Sequence, residues 1–193
     1  MAQRRRLVLA SGSPYRKALL ERLGVPFEVL SPDVDEAPLG GESPRDTALR
    51  LSLLKARAAS ERGGLIIGSD QVASCEGRRY GKPGSHENAV RQLRELSGKT
   101  VDFDTAVTLL DAEKKTHESR VVPCLVTFRN LDPEKIESYL QRERPYDCAA
   151  AAKAEGLGIA LIARIETDDP SSLIGLPLIA LTEMLERAGL RIL

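Results

Sequence analysis

Two short apolar runs, Leu7–Ala10 and Leu65–Gly68, restrict the fold of this chain more than any other feature. Four residues are too few for a helix, and an apolar stretch without alternation suits a strand buried on both faces. The first run gives way to Ser11-Gly12-Ser13-Pro14, in which Ser13 is a good N-cap and Pro14 fits the first helical position. Leu19, Leu20 and Leu23 form the apolar stripe of that helix, and Gly24 stops it. Phe27–Leu30 is predicted as a second strand, and the acidic, turn-rich stretch from Pro32 to Gly41 as a loop. Ser43-Pro44-Arg45-Asp46 is a capping signature for a helix expected to run to about Glu61, with Leu49, Leu53 and Ala56 inward. Leu65–Gly68 then ends at Ser69-Asp70-Gln71.

The second half continues the interleaving. Ser85 caps a helix to Leu96, closed by Gly98. Val101–Leu110 and Val121–Phe128 read as an antiparallel pair of strands. Asp132-Pro133 starts a helix through Ile136, Tyr139 and Leu140. Gly158–Ile165 is predicted as a strand, and a last helix runs from about Pro177 to Ala188. The pattern is that of an α/β fold with a mixed sheet flanked by helices. No repeat, linker or low-complexity segment interrupts it.

Composition narrows the classes of function. The chain has 193 residues, 28 Lys+Arg and 28 Asp+Glu, so the formal net charge is zero. Hydrophobic residues at 42% and charged residues at 29% are ordinary for a globular protein and exclude a disordered or fibrous chain. Neutral charge argues against a stable nucleic-acid partner, which calls for basic excess. With 4 Tyr, 3 Phe and no Trp, few rings are available for stacking on bases. The basic triplet Arg4–Arg6 reads as a solvated flank of the first strand. No stretch approaches the length of a membrane span or a signal-peptide core, so a cytoplasmic protein without a membrane partner is expected.

Cys75, Cys124 and Cys148 are an odd set without CxxC spacing and fit reduced thiols. His86 and His117 are the only histidines, which leaves a zinc site or a Ser-His-Asp triad poorly supplied. Any metal would have oxygen ligands, as magnesium or manganese does.

Several residues could carry chemistry. Ser11, Ser13, Tyr15, Arg16 and Lys17 lie where a buried strand meets a helix N-terminus, a junction suited to an anion. Arg16 could grip a phosphate with two donors. Taken alone, the pattern favours an ordinary capped helix with an exposed basic turn, because it is neither a Walker A nor a dinucleotide fingerprint. Asp70, next to Gly68 and Ser69 beyond a buried strand, is where α/β proteins place catalytic groups, although a turn-forming Asp explains it as well. Asp33, Asp35 and Glu36 form an acidic loop. Lys55 lies within the second helix, where a lysine is ordinarily solvated. Lys82 sits in the stiff Gly81-Lys82-Pro83-Gly84 turn, and Lys153 and Glu155 precede Gly156 and Gly158.

Together these pieces resemble the Maf family of nucleoside triphosphate pyrophosphatases over nearly the whole chain. The opening motif is Leu9-Ala10-Ser11-Gly12-Ser13-Pro14-Tyr15-Arg16. Asp33-Val34-Asp35-Glu36, the helix carrying Lys55, Ile67-Gly68-Ser69-Asp70-Gln71, Gly81-Lys82-Pro83, Ser97-Gly98, Lys153-x-Glu155-Gly156 and Leu173-Ile174-Gly175-Leu176-Pro177 follow in the family's order. The resemblance implies a single domain over 1–193, with two lobes around a central cleft in an elongated fold like that of the inosine triphosphate pyrophosphatases. It implies hydrolysis between the α and β phosphates, a divalent cation (magnesium, manganese or cobalt) and a homodimer. Asp70 matches the family's proton acceptor and a metal ligand, and Glu36 a second metal ligand. Ser11, Ser13, Tyr15, Arg16, Lys17, Lys55, Gln71, Lys82, Lys153 and Glu155 are the implied substrate-binding residues.

Three positions are similar to the 7-methyl-GTP subgroup rather than the one acting on dTTP and UTP: Tyr15, Gln71 and Glu155. N7 methylation makes guanine cationic. A carboxylate at 155 could accept from N1–H and the exocyclic amine, and a tyrosine face favours a cationic ring. The chain departs from the subgroup at Ala150-Ala151-Ala152, where Gly-Ser-Phe is usual. The dTTP/UTP activity, and a nucleotide-sensing division regulator without turnover, are the alternatives.

Overall fold

The computed structural model describes residues 5–193, so Arg4 lies outside the described residues. The chain divides into two compact units. The first comprises 1–71, 105–122 and 169–193, and the second 72–104 and 123–168.

The elements in chain order are β1 (Leu7–Ala10), α1 (Pro14–Glu21), β2 (Glu28–Leu30), α2 (Pro44–Ala58), β3 (Leu65–Cys75), β4 (Arg78–Arg79), α3 (His86–Leu96), β5 (Thr100–Asp111), β6 (Thr116–Phe128), α4 (Pro133–Glu143), β7 (Ile162–Glu166) and α5 (Leu178–Arg187). Strand order is β2-β1-β3-β5-β6-β7, with β4 paired to the end of β3. β1 runs parallel to β2 and β3, in register Leu9↔Val29 and Leu9↔Ile67. β3–β4 and β6–β7 are antiparallel, so the sheet is mixed as expected.

The first unit is built around β1, which is buried along its whole length. Its side chains alternate between two cores, as strand geometry requires. Leu7 and Leu9 pack with Leu65, Ile67, Leu176 and Leu181, whereas Val8 and Ala10 pack with Ile66, Ala56 and Ala59. Arg5 donates to Asp111 and Arg6 to Glu28, so these two cations of the basic triplet are ion-paired within this unit. In the second unit α3 packs on α4, and Leu93, Leu96, Ile136 and Leu140 on these helices are buried.

Four expectations need correction. Helix α2 ends at Ala58 and a single 3-10 turn, Ser60–Arg62, follows it. Its buried face carries Thr47, Ala48, Leu51, Ser52, Lys55 and Ala56, while Leu49 and Leu53 are only half-buried. Leu157–Leu161 is a 3-10 helix, and the strand begins at Ile162. The third buried strand is also longer than predicted: Ser69-Asp70-Gln71 lie inside β3 rather than beyond its end.

Candidate active site

Helix α2 approaches β3 closely because small residues meet. A Cβ on Gly68 would collide with the Ser52 carbonyl oxygen and lie 2.8 Å from the Ala56 amide nitrogen. That approach carries Lys55 down to the strand. Its Nζ lies 2.6 Å from Asp70 Oδ1 and 2.7 Å from Glu36 Oε1. Lys55, read from the sequence as ordinarily solvated, is buried, as is Asp70, while Glu36 reaches in from the exposed loop before α2. Arg50, one turn earlier on α2, holds that loop through Glu42 at 2.7 Å and the Ala37 carbonyl at 3.0 Å. The Arg50 guanidinium lowers the Glu42 carboxyl to about 2.

Period-two alternation on β3 sends its polar residues to opposite faces. Gly68 and Asp70 share the α2 face. Ser69 and Gln71 share the other, where they meet the 172–175 turn. Ser69 Oγ lies 2.9 Å from the Gly175 carbonyl oxygen and 2.8 Å from that of Ala106. Gln71 Nε2 lies within hydrogen-bond distance of Thr105 Oγ1 (2.9 Å) and of the Ser172 and Leu173 carbonyls (3.0 and 3.1 Å).

The same turn orients Arg16. Ser13 caps α1 by accepting from the Arg16 amide, and the Arg16 side chain donates through Nε to the Gly175 carbonyl at 2.8 Å. Its Nη1 lies 3.3 Å from Ser11 Oγ. Burial lowers the Arg16 guanidinium's affinity for its proton, and the charges of Asp70 and Glu36 oppose that effect. Gly175 has φ +120, and a Cβ there would lie 3.4 Å from Arg16 Nε, so glycine suits both the backbone and the contact. Asp169 builds the turn from below. It accepts from Ser171 Oγ at 2.6 Å and from the Ile179 and Ala180 amides at the start of α5.

Ser11, Ser13, Arg16, Glu36, Lys55, Asp70 and Gln71 therefore belong to one connected cluster in the first unit. Lys17 points to Glu21 at 3.7 Å, and Tyr15 is half-buried on α1. Lys82, Lys153 and Glu155 lie in the second unit. The turn bearing Lys82 is fixed by α3, as Asn88 donates to the Pro83 carbonyl and Gln92 to that of Gly81. The Lys82 side chain is exposed and makes no ion pair among the described residues. Lys153 Nζ is held by Glu143 at 2.6 Å, and Glu143 also accepts from the Leu157 amide. Glu155, next to this turn, is exposed. The alanine segment closes against α4: Tyr139 donates its hydroxyl proton to the Ala151 carbonyl, and the Lys153 amide donates to that hydroxyl.

Sequence reasoning missed Ser69, Thr105, Ser172 and Asp169 as site-building residues. Ser69 and Gly175 stood inside quoted motifs, which was the available signal. Asp169 was legible only as the Asp169-Pro170 start of the last segment, and Thr105 carried no signal. Among the described residues no group of three metal-binding side chains assembles. Two carboxylates do converge on a single cation, and oxygen donors of this kind fit magnesium or manganese.

Comparison with known proteins places this geometry in a family. A protein named 7-methyl-GTP pyrophosphatase from Cupriavidus pinatubonensis is 55% identical over 186 residues, covering 95% of this chain and 94% of that protein. Proteins of the same name from Ralstonia nicotianae and Thiobacillus denitrificans are each 54% identical, covering 93% and 97% of this chain and 93% and 94% of their own lengths. Among solved structures, a HAM1 protein from Coxiella burnetii aligns with 81% of this chain and 98% of its own at 17% identity and a TM-score of 0.45. The family model described as Maf-like protein matches residues 6–188, and the chain belongs to that family.

Proposed function

We propose that the protein hydrolyses 7-methyl-GTP between its α and β phosphates, giving 7-methyl-GMP and pyrophosphate. The shared name of the relatives supports the substrate. The observation that carries the reaction is the buried Asp70 carboxylate, flanked by Lys55 and within the field of Arg16.

Water attacks the α phosphorus, its new bond forms as the bond to the bridging oxygen breaks, and pyrophosphate leaves with that electron pair. Asp70 accepts the proton of the attacking water. Its Oδ1 is bonded to Lys55, while Oδ2 makes no hydrogen bond among the described residues and is available for this transfer. Charge on the phosphates grows toward the leaving group, so fixed cations stabilise the transition state more than covalent chemistry does. Arg16 retains donors beyond those given to Gly175 and Ser11 and binds phosphate oxygens. Lys55 adds further positive charge. A divalent cation (magnesium, manganese or cobalt) would be held by Asp70 and Glu36 and supplies charge neutralisation on the phosphates. Glu155 is assigned to the N1–H and exocyclic amine of the methylated base, and Tyr15 to its cationic face.

Incubation of the protein with magnesium and a nucleotide panel tests the reading. Pyrophosphate release from 7-methyl-GTP should exceed that from GTP, dTTP and UTP, and Asp70→Asn should lower it about 10²–10⁴-fold with a retained circular dichroism spectrum. Glu155→Gln should narrow the preference for 7-methyl-GTP over GTP. Orthophosphate as the first product overturns the reaction, and equal rates on dTTP overturn the substrate.

A further inference from the structure

Lys55 occupies the position to which the proposed cation ligands converge. Its Nζ touches an oxygen of Asp70 at 2.6 Å and one of Glu36 at 2.7 Å. The side chains of Lys55 and Asp70 are 7% and 10% exposed, whereas that of Glu36 is 59% exposed on its loop. One half of this arrangement is therefore set into the core, and the other half lies on the exposed loop before α2. A lysine stem of four methylenes lets the ammonium swing without moving α2.

We propose that Lys55 is the resident counter-cation of the Asp70–Glu36 pair in the nucleotide-free protein, and that the phosphates of an arriving substrate draw it off, so that the divalent cation enters with the nucleotide rather than before it. The inference rests on the assignment of Asp70 and Glu36 as cation ligands. The two carboxylates are balanced by the Lys55 ammonium at contact distance and by the Arg16 guanidinium, whose charge also acts on both. A divalent ion approaching the free protein meets repulsion from an ammonium held with little solvent around it, where screening is weak. A triphosphate reverses the balance, because its oxygens offer the ammonium new acceptors at the same moment that they carry the metal. Arg16, already anchored to Gly175 and Ser11, stays in place and gives the phosphates a fixed point of attachment. Lys55 is thereby a gate on cation binding as well as a phosphate ligand.

The test measures binding of Mn²⁺ to the intact protein by the electron paramagnetic resonance of the free ion, without nucleotide. The parent should bind Mn²⁺ weakly, and Lys55→Met should bind it about tenfold more tightly or better, as expected for removal of one adjacent positive charge. Mn²⁺ should also raise the melting temperature of Lys55→Met more than that of the parent. Lys55→Gln keeps a hydrogen bond to Asp70 and serves in place of a methionine variant that fails to fold. Equal or weaker Mn²⁺ binding in both neutral variants overturns the proposal. Asp70→Asn separates this failure from failure of the ligand assignment. If Asp70→Asn loses Mn²⁺ while the neutral variants gain none, only the gate is wrong. If adding Asp70→Asn to Lys55→Met leaves the Mn²⁺ binding of that variant unchanged, the ligand assignment fails and the gate with it.

Discussion

Arg5 and Asp111 form a pair whose consequence is expected in bulk stability. Arg5 donates to Asp111 at 2.7 Å, and Asp111 also accepts from the amides of Glu113 and Lys114. The Arg5 hydrogen bond is the main reason that the Asp111 carboxyl falls from 3.8 to about 2. A carboxyl with a depressed folded value stabilises the fold above its unfolded value, and the effect disappears as pH drops through the folded one. Asp111→Asn should therefore lower stability by about 1–2 kcal/mol at pH 6, with the difference shrinking between pH 4 and pH 2, as read by urea unfolding at each pH. Gln71 carries a different lesson at this scale. Its identity matched a subgroup position, but its amide holds Thr105 and the Ser172 and Leu173 carbonyls. Any influence it has on substrate choice thus also passes through the turn that anchors Arg16.

At the scale of elements, the contact between α2 and β3 decides whether there is a site at all. The sequence reading placed the bulky Leu49 and Leu53 inward, because size is the usual mark of a buried face. The buried face is instead rich in small residues, Ala48, Ser52 and Ala56, which let the helix backbone come down onto Gly68. Gly68→Ala should push α2 away from β3. A loss of about 1–3 kcal/mol in stability is expected, with a larger loss in turnover as Lys55 separates from Asp70. Thermal unfolding and nucleotide hydrolysis measured on the same preparation check this. Unchanged activity at reduced stability would show that the helix can retreat without moving Lys55. The alanine segment is an element-scale irregularity of the second unit. Ala150 and Ala151 adopt φ of +56 and +52 while buried, a left-handed conformation that costs a non-glycine residue roughly 1–2 kcal/mol. The left-handed conformation is thus borne by an alanine backbone, and the tie from Tyr139 to Ala151 keeps the segment closed.

For the whole molecule, the unequal burial of three thiols gives a simple probe of integrity. Cys75 and Cys124 are buried and Cys148 is half-buried. Burial pushes the Cys124 thiol up to about 11 and raises that of Cys75 as well. A disulfide reagent at pH 8 should modify Cys148 first and the other two only on unfolding in urea, as followed by mass spectrometry of the intact chain. Rapid modification of Cys124 in the native protein would mean that the second unit opens readily. Among the described residues no helix is long and apolar enough to cross a membrane. The order of strands and helices, the N-caps at Ser13, Ser43, Ser85 and Asp132, and the mixed sheet were legible from the chain, because apolar periodicity, serine or aspartate caps and proline positions act over a few residues. The family was legible too, since motifs keep their order along the chain. Tertiary structure alone decided that Lys55 is buried between Asp70 and Glu36, that Ser69 and Gln71 turn away from Asp70, and that Gly175 receives Arg16. Each of these depends on backbones far apart in sequence approaching to within a side chain's reach, a distance that no local pattern encodes.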